Sequence, residues 1–157
     1  MLDKTLWENT TSVSWLGQGR GGFMPRRSRL VERSRGRLER LRVRGDVHDR
    51  AGDLSGGNQQ KAVLAKWLDA APDVLALDDP TRGVDVGART ELHDIVRGLA
   101  AEGKVVLIAS SDLAELVELC HRVVVLQRGR IVGTLEGDRL TEPELSLAMN
   151  AGFADSV

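Results

Sequence analysis

The second half of the chain alternates short apolar runs with longer amphipathic segments. The runs 74–77, 104–109 and 123–126 are short and rich in Val, Leu and Ile, so they predict three strands. Apolar residues recur at helical spacing from Leu92 and again from Leu113, which predicts two helices between the strands. This alternating order predicts an α/β fold in which the three strands form one parallel sheet, covered on both faces, with right-handed crossovers.

The same patterns predict the remaining elements. Three further helices are predicted before the first strand, within 1–24, over 25–43 and over 57–70, and the first of them ends in a glycine-rich loop. After the third strand, residues 128–130 predict a hairpin turn into a fourth strand, and Thr141 opens a last helix.

Charge is distributed unevenly along the chain. The net charge is −1, yet residues 20–50 contain 11 Arg and no Lys. A basic patch is one requirement of a nucleic-acid contact, but Glu32 and Glu39 interrupt this one, and no stacking aromatic lies between Arg26 and Arg50. We therefore favour a solvated or partner-facing helix, and we expect no nucleic-acid partner.

Cysteine usage and the lengths of the apolar runs bear on location. The single cysteine, Cys120, excludes a disulfide framework, and no Cys/His spacing is typical of a metal site, so a reducing compartment such as the cytoplasm is favoured. Of the histidines, His93 is predicted to lie on the exposed side of the helix that carries Leu92. The longest apolar run, 105–109, is far short of the roughly 20 residues that span a bilayer, and the polar start is unlike a signal peptide. We therefore expect no direct membrane span, and any membrane link must pass through a partner.

Two glycine patterns match nucleotide-binding loops but stand in the wrong context. Gly17–Gly22 matches G-x-G-x-x-G, but no apolar strand leads into it. Gly98–Lys104 matches G-x-x-x-x-G-K, but it joins a helix to a strand, whereas a phosphate loop joins a strand to a helix. These 157 residues are therefore predicted to contain no loop that cradles phosphate.

The segment Leu-Ser-Gly-Gly-Asn-Gln-Gln at 54–60 places a hydroxyl and two glycines at the start of a predicted helix. Because Gly56 and Gly57 have no Cβ, their N–H groups can lie against a phosphate, and the Ser55 Oγ can donate to a terminal phosphate oxygen. The alternative is an ordinary helix start in which Ser55 caps the helix after a flexible turn.

Two carboxylates, Asp78 and Asp79, end the first predicted strand. Open α/β sheets bind ligands at the C-terminal edge of their parallel strands, and carboxylates buried there are usually paired or bound to a cation. In this interpretation Asp78 holds a water of a magnesium ion, and Asp79 orients or deprotonates an attacking water. The alternative is that both side chains only cap a strand-to-helix turn. Asp85 is a further candidate N-cap.

The order of these motifs resembles the nucleotide-binding domain of an ATP-binding cassette (ABC) transporter. Residues 54–60 resemble the signature motif, 74–79 the Walker B strand, and the segment around Asp85 the D-loop. The amino-acid sequences of these motifs are most similar to those of the second, C-terminal cassette of bacterial sugar-import ATPases of the ribose, galactose and xylose type. The resemblance is strong over 54–152 and weaker over 3–43.

The resemblance implies a fold and a division of the chain. It implies the C-terminal part of a P-loop (RecA-like) ABC ATPase domain, with the Walker A portion missing. Residues 1–71 would form a partial helical subdomain that ends in the signature helix. Residues 72–157 would form part of the nucleotide-binding core.

The resemblance also implies a role for each matching residue. The expected contacts to ATP come from the signature segment and the D-loop, namely Ser55, Gly56, Gly57, Gln59 and Asp85. Asp78 would be the Walker B aspartate that holds Mg²⁺. Two positions depart from the general pattern: Asp79 stands where the family usually has its catalytic glutamate, and Ser111 stands where most cassettes have the switch histidine. Serine at the second position is common in the C-terminal cassettes of this subfamily.

The function implied is that of an ATPase segment that helps to power sugar import. Such a segment would need a complementary cassette or N-terminal half that carries Walker A, and a transmembrane sugar permease that holds it at the inner face of the plasma membrane. The isolated chain is predicted to be inactive. One alternative is a non-catalytic module that docks on a permease or a partner cassette. Another is a DNA-repair or chromosome-maintenance ATPase, but that class needs long coiled-coil heptads, which the sequence does not contain.

Overall fold

The computed structural model of the protein describes residues 2–17 and 26–154. Its helices and strands are α1 (Leu6–Gly17), α2 (Arg27–Arg40), α3 (Gly56–Leu68), β1 (Val74–Asp78), α4 (Val86–Ala101), β2 (Val105–Ala109), α5 (Leu113–Leu119), β3 (Arg122–Gln127), β4 (Arg130–Glu136) and α6 (Glu142–Ala154). The predicted α/β class is confirmed. Most of the predicted glycine-rich loop, with the helix start at Pro25, lies outside the described residues.

The chain folds into two compact units. The first comprises Met1–Leu75 and Pro80–Val106, and the second comprises Ala76–Asp79 and Leu107–Val157. The division at residues 71 and 72 that the resemblance implies remains a prediction.

The first unit is built mainly of helices. The helix α1 packs against α2 and α3, and α3 packs against α4. Leu64 and Leu68, one turn apart on α3, are buried, while Val63 and Trp67 on the neighbouring face are exposed. The predicted exposure of His93 is wrong, because α4 buries a wider stripe than its apolar residues alone predict, and only 2% of His93 is exposed.

The arginine-rich helix α2 is held to the end of α3 by a buried carboxylate. Arg33 Nε lies 2.6 Å from Asp69 Oδ1, and its guanidinium also donates to the Asp69 carbonyl oxygen at 2.6 Å. The Asp69 side chain is fully buried, and Arg37 adds a longer contact of 3.8 Å. Buried carboxylates need such partners, so part of the basic segment has an intramolecular role.

The start of α1 is fixed by a reciprocal cap. Thr5 donates from its backbone N–H and from its hydroxyl to one carboxylate oxygen of Glu8, at 2.9 and 2.7 Å. These hydrogen bonds stabilise the ionised form, so they hold the pKa of Glu8 below its usual value.

The strands in the described part of the chain form two two-stranded sheets. β1 pairs with β2, and the backbone bonds from Val105 to Asp73 and from Asp79 to Ala109 advance in the same direction along both strands, as a parallel pair requires. β3 pairs with β4 as an antiparallel hairpin. Among the described residues, the prediction of one parallel sheet that includes β3 is therefore wrong. An apolar run indicates a strand, but the choice of its neighbour is made by distant contacts.

Coverage of the strands also differs from the prediction. On β2, Val105 and Leu107 are 54% and 58% exposed, so this strand is not covered on both faces. The apolar composition records which residues gain from burial, whereas actual burial requires a neighbour on each face.

The second unit has its own small core, formed where α5 and α6 pack with the hairpin. Its buried residues are Leu116, Val123, Val125, Leu135 and Leu145. The predicted hairpin turn is present, and the pairing of Gln127 with Arg130 makes Arg128 and Gly129 its two loop residues. Both have positive φ, 48° and 77°, as a two-residue hairpin turn of this kind requires.

No helix in residues 2–17 or 26–154 has both the length and the apolar content needed to cross a membrane.

Candidate functional site

The segment 54–60 forms the loop and first turn that begin α3, as predicted. Ser55 precedes the helix in an extended conformation and is exposed. The alternative in which its side chain caps α3 is wrong, because the hydroxyl makes no capping bond to a backbone N–H. Instead, the Ser55 Oγ accepts a hydrogen bond from Asn58 Nδ2 at 3.0 Å.

The two glycines of this segment have different surroundings. Gly56 is exposed, and a Cβ placed there would lie 3.6 Å from the Gly83 carbonyl oxygen, an ordinary contact. Gly57 is buried, and a Cβ placed there would lie only 2.3 Å from the Cβ of Ala88 on α4. Close packing of α3 on α4 is therefore sufficient reason for glycine at position 57, whereas at Gly56 the open surroundings leave room for a ligand.

The side chain of Gln59 is turned back onto the loop before the helix. Its Nε2 donates to the carbonyl oxygens of Leu54, at 2.9 Å, and Gly52, at 3.3 Å. Gln59 and Gly56 also line a cavity of about 420 Å³ in the first unit. The structure thus gives Gln59 a loop-holding contact, and its predicted contact to ATP remains a prediction.

Asp85 is the N-cap of α4, as predicted. Its carboxylate accepts a hydrogen bond from the Ala88 backbone N–H at 2.9 Å. Ala88 is also the residue against which Gly57 packs, so the signature segment and the start of α4 meet at one point. The predicted role of Asp85 in nucleotide contact remains a prediction.

The two carboxylates at the end of β1 are in different environments. Asp78 is the last residue of the strand and is exposed. Asp79 has a φ of +42°, in the left-handed region that aspartate tolerates better than most residues, and its backbone N–H donates to the Ala109 carbonyl oxygen at 2.8 Å. Neither residue is the N-cap of α4, since that position belongs to Asp85.

The structure brings Asp79 and Ser111 together. One carboxylate oxygen of Asp79, Oδ1, accepts from the Ser111 backbone N–H at 2.9 Å and from the Ser111 hydroxyl at 3.2 Å. The two residues are 32 positions apart, so no local pattern in the sequence could indicate this contact. The positions that depart from the general family pattern are therefore directly coupled.

The described carboxylates suit a magnesium ion only if water and phosphate oxygens provide most of its ligands. Within the part of the chain that the structure describes, no group of three or more His, Cys, Asp or Glu side chains could hold a metal. Magnesium commonly keeps several waters and is bound by one or two carboxylates together with substrate phosphates. The exposed carboxylate of Asp78 fits such a role.

Sequence reasoning missed an ion pair between a buried lysine and a half-buried glutamate behind the signature segment. Lys61 on α3 is only 2% exposed, and its Nζ donates to Glu91 Oε2 and to the Arg42 carbonyl oxygen, each at 2.7 Å. The hydrogen bond and the charge of Lys61 hold the pKa of Glu91 below its usual value. A lysine near the start of a helix gives no signal of burial.

The second glycine pattern is confirmed as a helix-to-strand junction. Gly98 lies in α4, and Lys104 immediately precedes β2. The Lys104 Nζ donates to the Pro72 carbonyl oxygen at 2.7 Å, which gives this lysine a structural contact. The first pattern, Gly17–Gly22, lies almost entirely outside the described residues.

Comparison with known proteins gives a family and several relatives. A family model described as ABC transporter matches residues 3–82. The ribose import ATP-binding protein RbsA 2 of Agrobacterium fabrum is 46% identical over 140 residues, which cover 86% of this chain and 28% of that protein. A putative ribose/galactose/methyl galactoside import ATP-binding protein of Rhizobium meliloti is 43% identical over 151 residues, 95% of this chain and 30% of that protein. The chain thus spans less than a third of the length of these relatives.

Solved structures share the fold. A nucleotide-free ATP-binding cassette from an ABC transporter matches with a TM-score of 0.76 at 24% identity, over 92% of this chain and 60% of that one. A dimeric cassette in a post-hydrolysis state with ADP and phosphate matches with a TM-score of 0.71 at 20% identity, over 87% of this chain and 58% of that one.

Proposed function

The chain belongs to the ABC transporter family, and from that premise we propose that it supplies the signature and Walker B segments of an ATPase that powers sugar import. The observation that carries the proposal is the exposed hydroxyl of Ser55 beside the open backbone of Gly56 at the start of α3. Backbone N–H groups and a hydroxyl at a helix N-terminus suit the oxygens of a terminal phosphate. The printed functions of the relatives favour a sugar as the transported substrate.

In this proposal each residue of the chain has a defined task. Ser55 and the Gly56 N–H donate to phosphate oxygens of ATP. Asp78 accepts from a water of the magnesium ion, which supplies positive charge to the phosphates when it is bound. Asp79 orients the attacking water, and Ser111 holds the Asp79 carboxylate through the two hydrogen bonds described above.

The proposal includes partners. A segment or chain that carries a Walker A loop would cradle the rest of ATP, and a transmembrane sugar permease would hold the assembly at the inner face of the plasma membrane. Residues 1–71 would act as part of the helical subdomain, and 72–157 as part of the nucleotide-binding core.

One observation favours a second candidate, a docking module without catalysis. The carboxylate of Asp79 is one methylene shorter than that of the usual glutamate, and it is already engaged by Ser111. A general base must come within about 3 Å of the proton it takes, so a short and engaged carboxylate is poorly placed for this step. The experiment below separates the two candidates.

The test replaces the matching 140-residue segment of the Agrobacterium fabrum relative with the corresponding segment of this chain. The chimera is then assayed for ATP affinity, ATP hydrolysis and sugar uptake with its permease. We expect hydrolysis, and we expect Ser55→Ala to weaken ATP affinity at least about tenfold, because a hydrogen bond to a charged group contributes roughly 1.5–3 kcal/mol. Ser28→Ala, at an exposed position on α2, is the matched control and should change nothing.

Other outcomes contradict the proposal. A chimera that assembles with its permease but never hydrolyses ATP would support the docking module. ATP binding that is insensitive to Ser55→Ala would remove the proposed role of the signature segment. The 157-residue chain by itself should bind ATP no tighter than about 1 mM, because a Walker A loop normally provides most of the phosphate contacts, and calorimetry that gives micromolar affinity would refute this expectation.

A further inference from the structure

Asn58, to which the sequence assigned no role, contacts the signature serine directly. Its Nδ2 donates to the Ser55 Oγ at 3.0 Å, while its Oδ1 accepts from the Arg44 backbone N–H at 2.9 Å. A backbone N–H can only donate, so the atom that faces Arg44 must be the amide oxygen. The amide of Asn58 is therefore fixed with its NH₂ group toward Ser55.

This contact determines what the serine hydroxyl can do. A hydroxyl carries one proton to donate and two lone pairs to accept with. Asn58 takes up one lone pair, and it offers no acceptor toward Ser55. The hydroxyl makes no capping bond either, so among the described residues its proton has no acceptor and remains available to a ligand on the exposed side.

The partner that fixes Asn58 is itself held in place. Arg44 lies two residues beyond Arg42, whose carbonyl oxygen accepts from the buried Nζ of Lys61. Lys61 also binds Glu91, and the guanidinium of Arg44 lies 3.4 Å from the second oxygen of the same carboxylate. The loop that carries the Arg44 N–H is thus bound to α3 and α4 by charged contacts.

We propose that Asn58 is a positioning residue that holds the Ser55 hydroxyl with its proton turned outward, as a donor to a terminal phosphate oxygen of ATP. This inference rests on the proposed function, and it explains how the Ser55 hydroxyl is oriented before ATP binds. Preorganised donors cost less to align at the moment of binding, which is why an orienting contact raises affinity.

The test is a double-mutant cycle in the chimera, read out as ATP affinity and as the separate effects on KM and kcat. Asn58→Asp keeps the size of the side chain but replaces the NH₂ donor with an acceptor. The Ser55 hydroxyl would then donate its proton to residue 58 instead of to the ligand. We expect it to weaken ATP affinity on the order of tenfold or more, and we expect Asn58→Ala to have a smaller effect of a few-fold. In the Ser55→Ala background, Asn58→Ala should have no further effect.

A second measurement needs neither ATP nor catalysis. In the 157-residue chain, the side-chain amide resonances of Asn58 should shift on Ser55→Ala and remain unchanged on Ser28→Ala. Urea unfolding of each variant shows whether a loss of affinity comes from loss of the folded state.

The outcomes distinguish this inference from the proposed function. If Ser55→Ala leaves ATP affinity unchanged, the proposed function fails. If Ser55→Ala weakens binding but the effects of Ser55→Ala and Asn58→Ala simply add, the proposed function stands and the positioning role of Asn58 is refuted. Asn58→Asp with unchanged affinity also refutes it.

Discussion

Gly57 offers the most direct test of the packing that places the signature helix. Substitution to alanine puts a Cβ 2.3 Å from the Cβ of Ala88, whereas carbon atoms in contact lie about 3.5–4.0 Å apart. The helices α3 and α4 must therefore separate by more than about 1 Å. Overpacking of this kind costs about 1–3 kcal/mol, and alanine recovers up to about 1 kcal/mol through its better helix propensity. We expect Gly57→Ala to lower the free energy of unfolding by about 1–2 kcal/mol.

The assay is urea unfolding of the 157-residue chain, followed by far-ultraviolet circular dichroism. With a slope of about 2 kcal/mol per molar urea, the middle of the usual range, the expected loss shifts the midpoint by roughly 0.5–1 M. Gly56→Ala is the matched control, since its nearest contact would be at 3.6 Å, and we expect no loss of stability.

A compensating substitution tests the cause. Removing the Cβ of Ala88 leaves the Ala88 Cα, at 3.7 Å, as the nearest atom to the new methyl group. We therefore expect Gly57→Ala combined with Ala88→Gly to be more stable than the sum of the two single changes predicts. The reasoning is refuted if Gly57→Ala is as stable as Gly56→Ala, or if the two changes in the pair are strictly additive.

Three further predictions concern the site, the Lys61–Glu91 ion pair and the hairpin. In the chimera, Asp79→Glu should raise the rate of ATP turnover at least tenfold, which corresponds to about 1.4 kcal/mol of activation barrier. The reason is that the extra methylene extends the carboxylate by about 1.5 Å. An unchanged rate in Asp79→Glu, together with loss of activity in Asp79→Asn, would contradict this prediction. Because the folded-state pKa of Glu91 is lowered, its stabilising effect is complete above its unfolded pKa and is lost as the pH falls through the lower, folded value. Urea midpoints measured from pH 7 downward should show this loss in the native chain and not in Glu91→Gln, and the same pH profile in both would refute it. Leu126 and Ile131 pair across the hairpin and are 69% and 67% exposed. Because exposed apolar strands favour association, the native chain should self-associate in sedimentation velocity, and Leu126→Lys should reduce this self-association. A native chain that stays monomeric would count against this prediction.

The coupling of Asp79 to Ser111 bears on how the site is prepared. The Ser111 backbone N–H provides one of the two hydrogen bonds and remains on substitution by any residue except proline, whereas the hydroxyl bond is lost when the new side chain has no hydroxyl. The carboxylate is thus restrained mainly by the backbone that follows β2. The Asp79 backbone itself lies in the left-handed region, with a φ of +42°.

The sequence by itself determined the elements that depend on near neighbours. The strands β1 to β4, the helix α4, the Asp85 cap and the hairpin turn at Arg128 all involve residues within a few positions of one another. Their patterns therefore predict them correctly. The order of the signature segment and the Walker B strand also identified the family, because the residues of these motifs are specific to it.

Only the tertiary structure decided which distant residues meet. Ser111 reaches Asp79 across 32 positions, Lys61 reaches Glu91 across 30, and Gly57 packs against Ala88. The tertiary structure also decided the burial of His93 and, among the strands that the structure describes, the pairing of β3 with β4 instead of with β1 or β2. The physical reason is that burial and hydrogen bonding are satisfied by whatever neighbour the whole fold supplies, whereas periodicity and capping are satisfied within a single element.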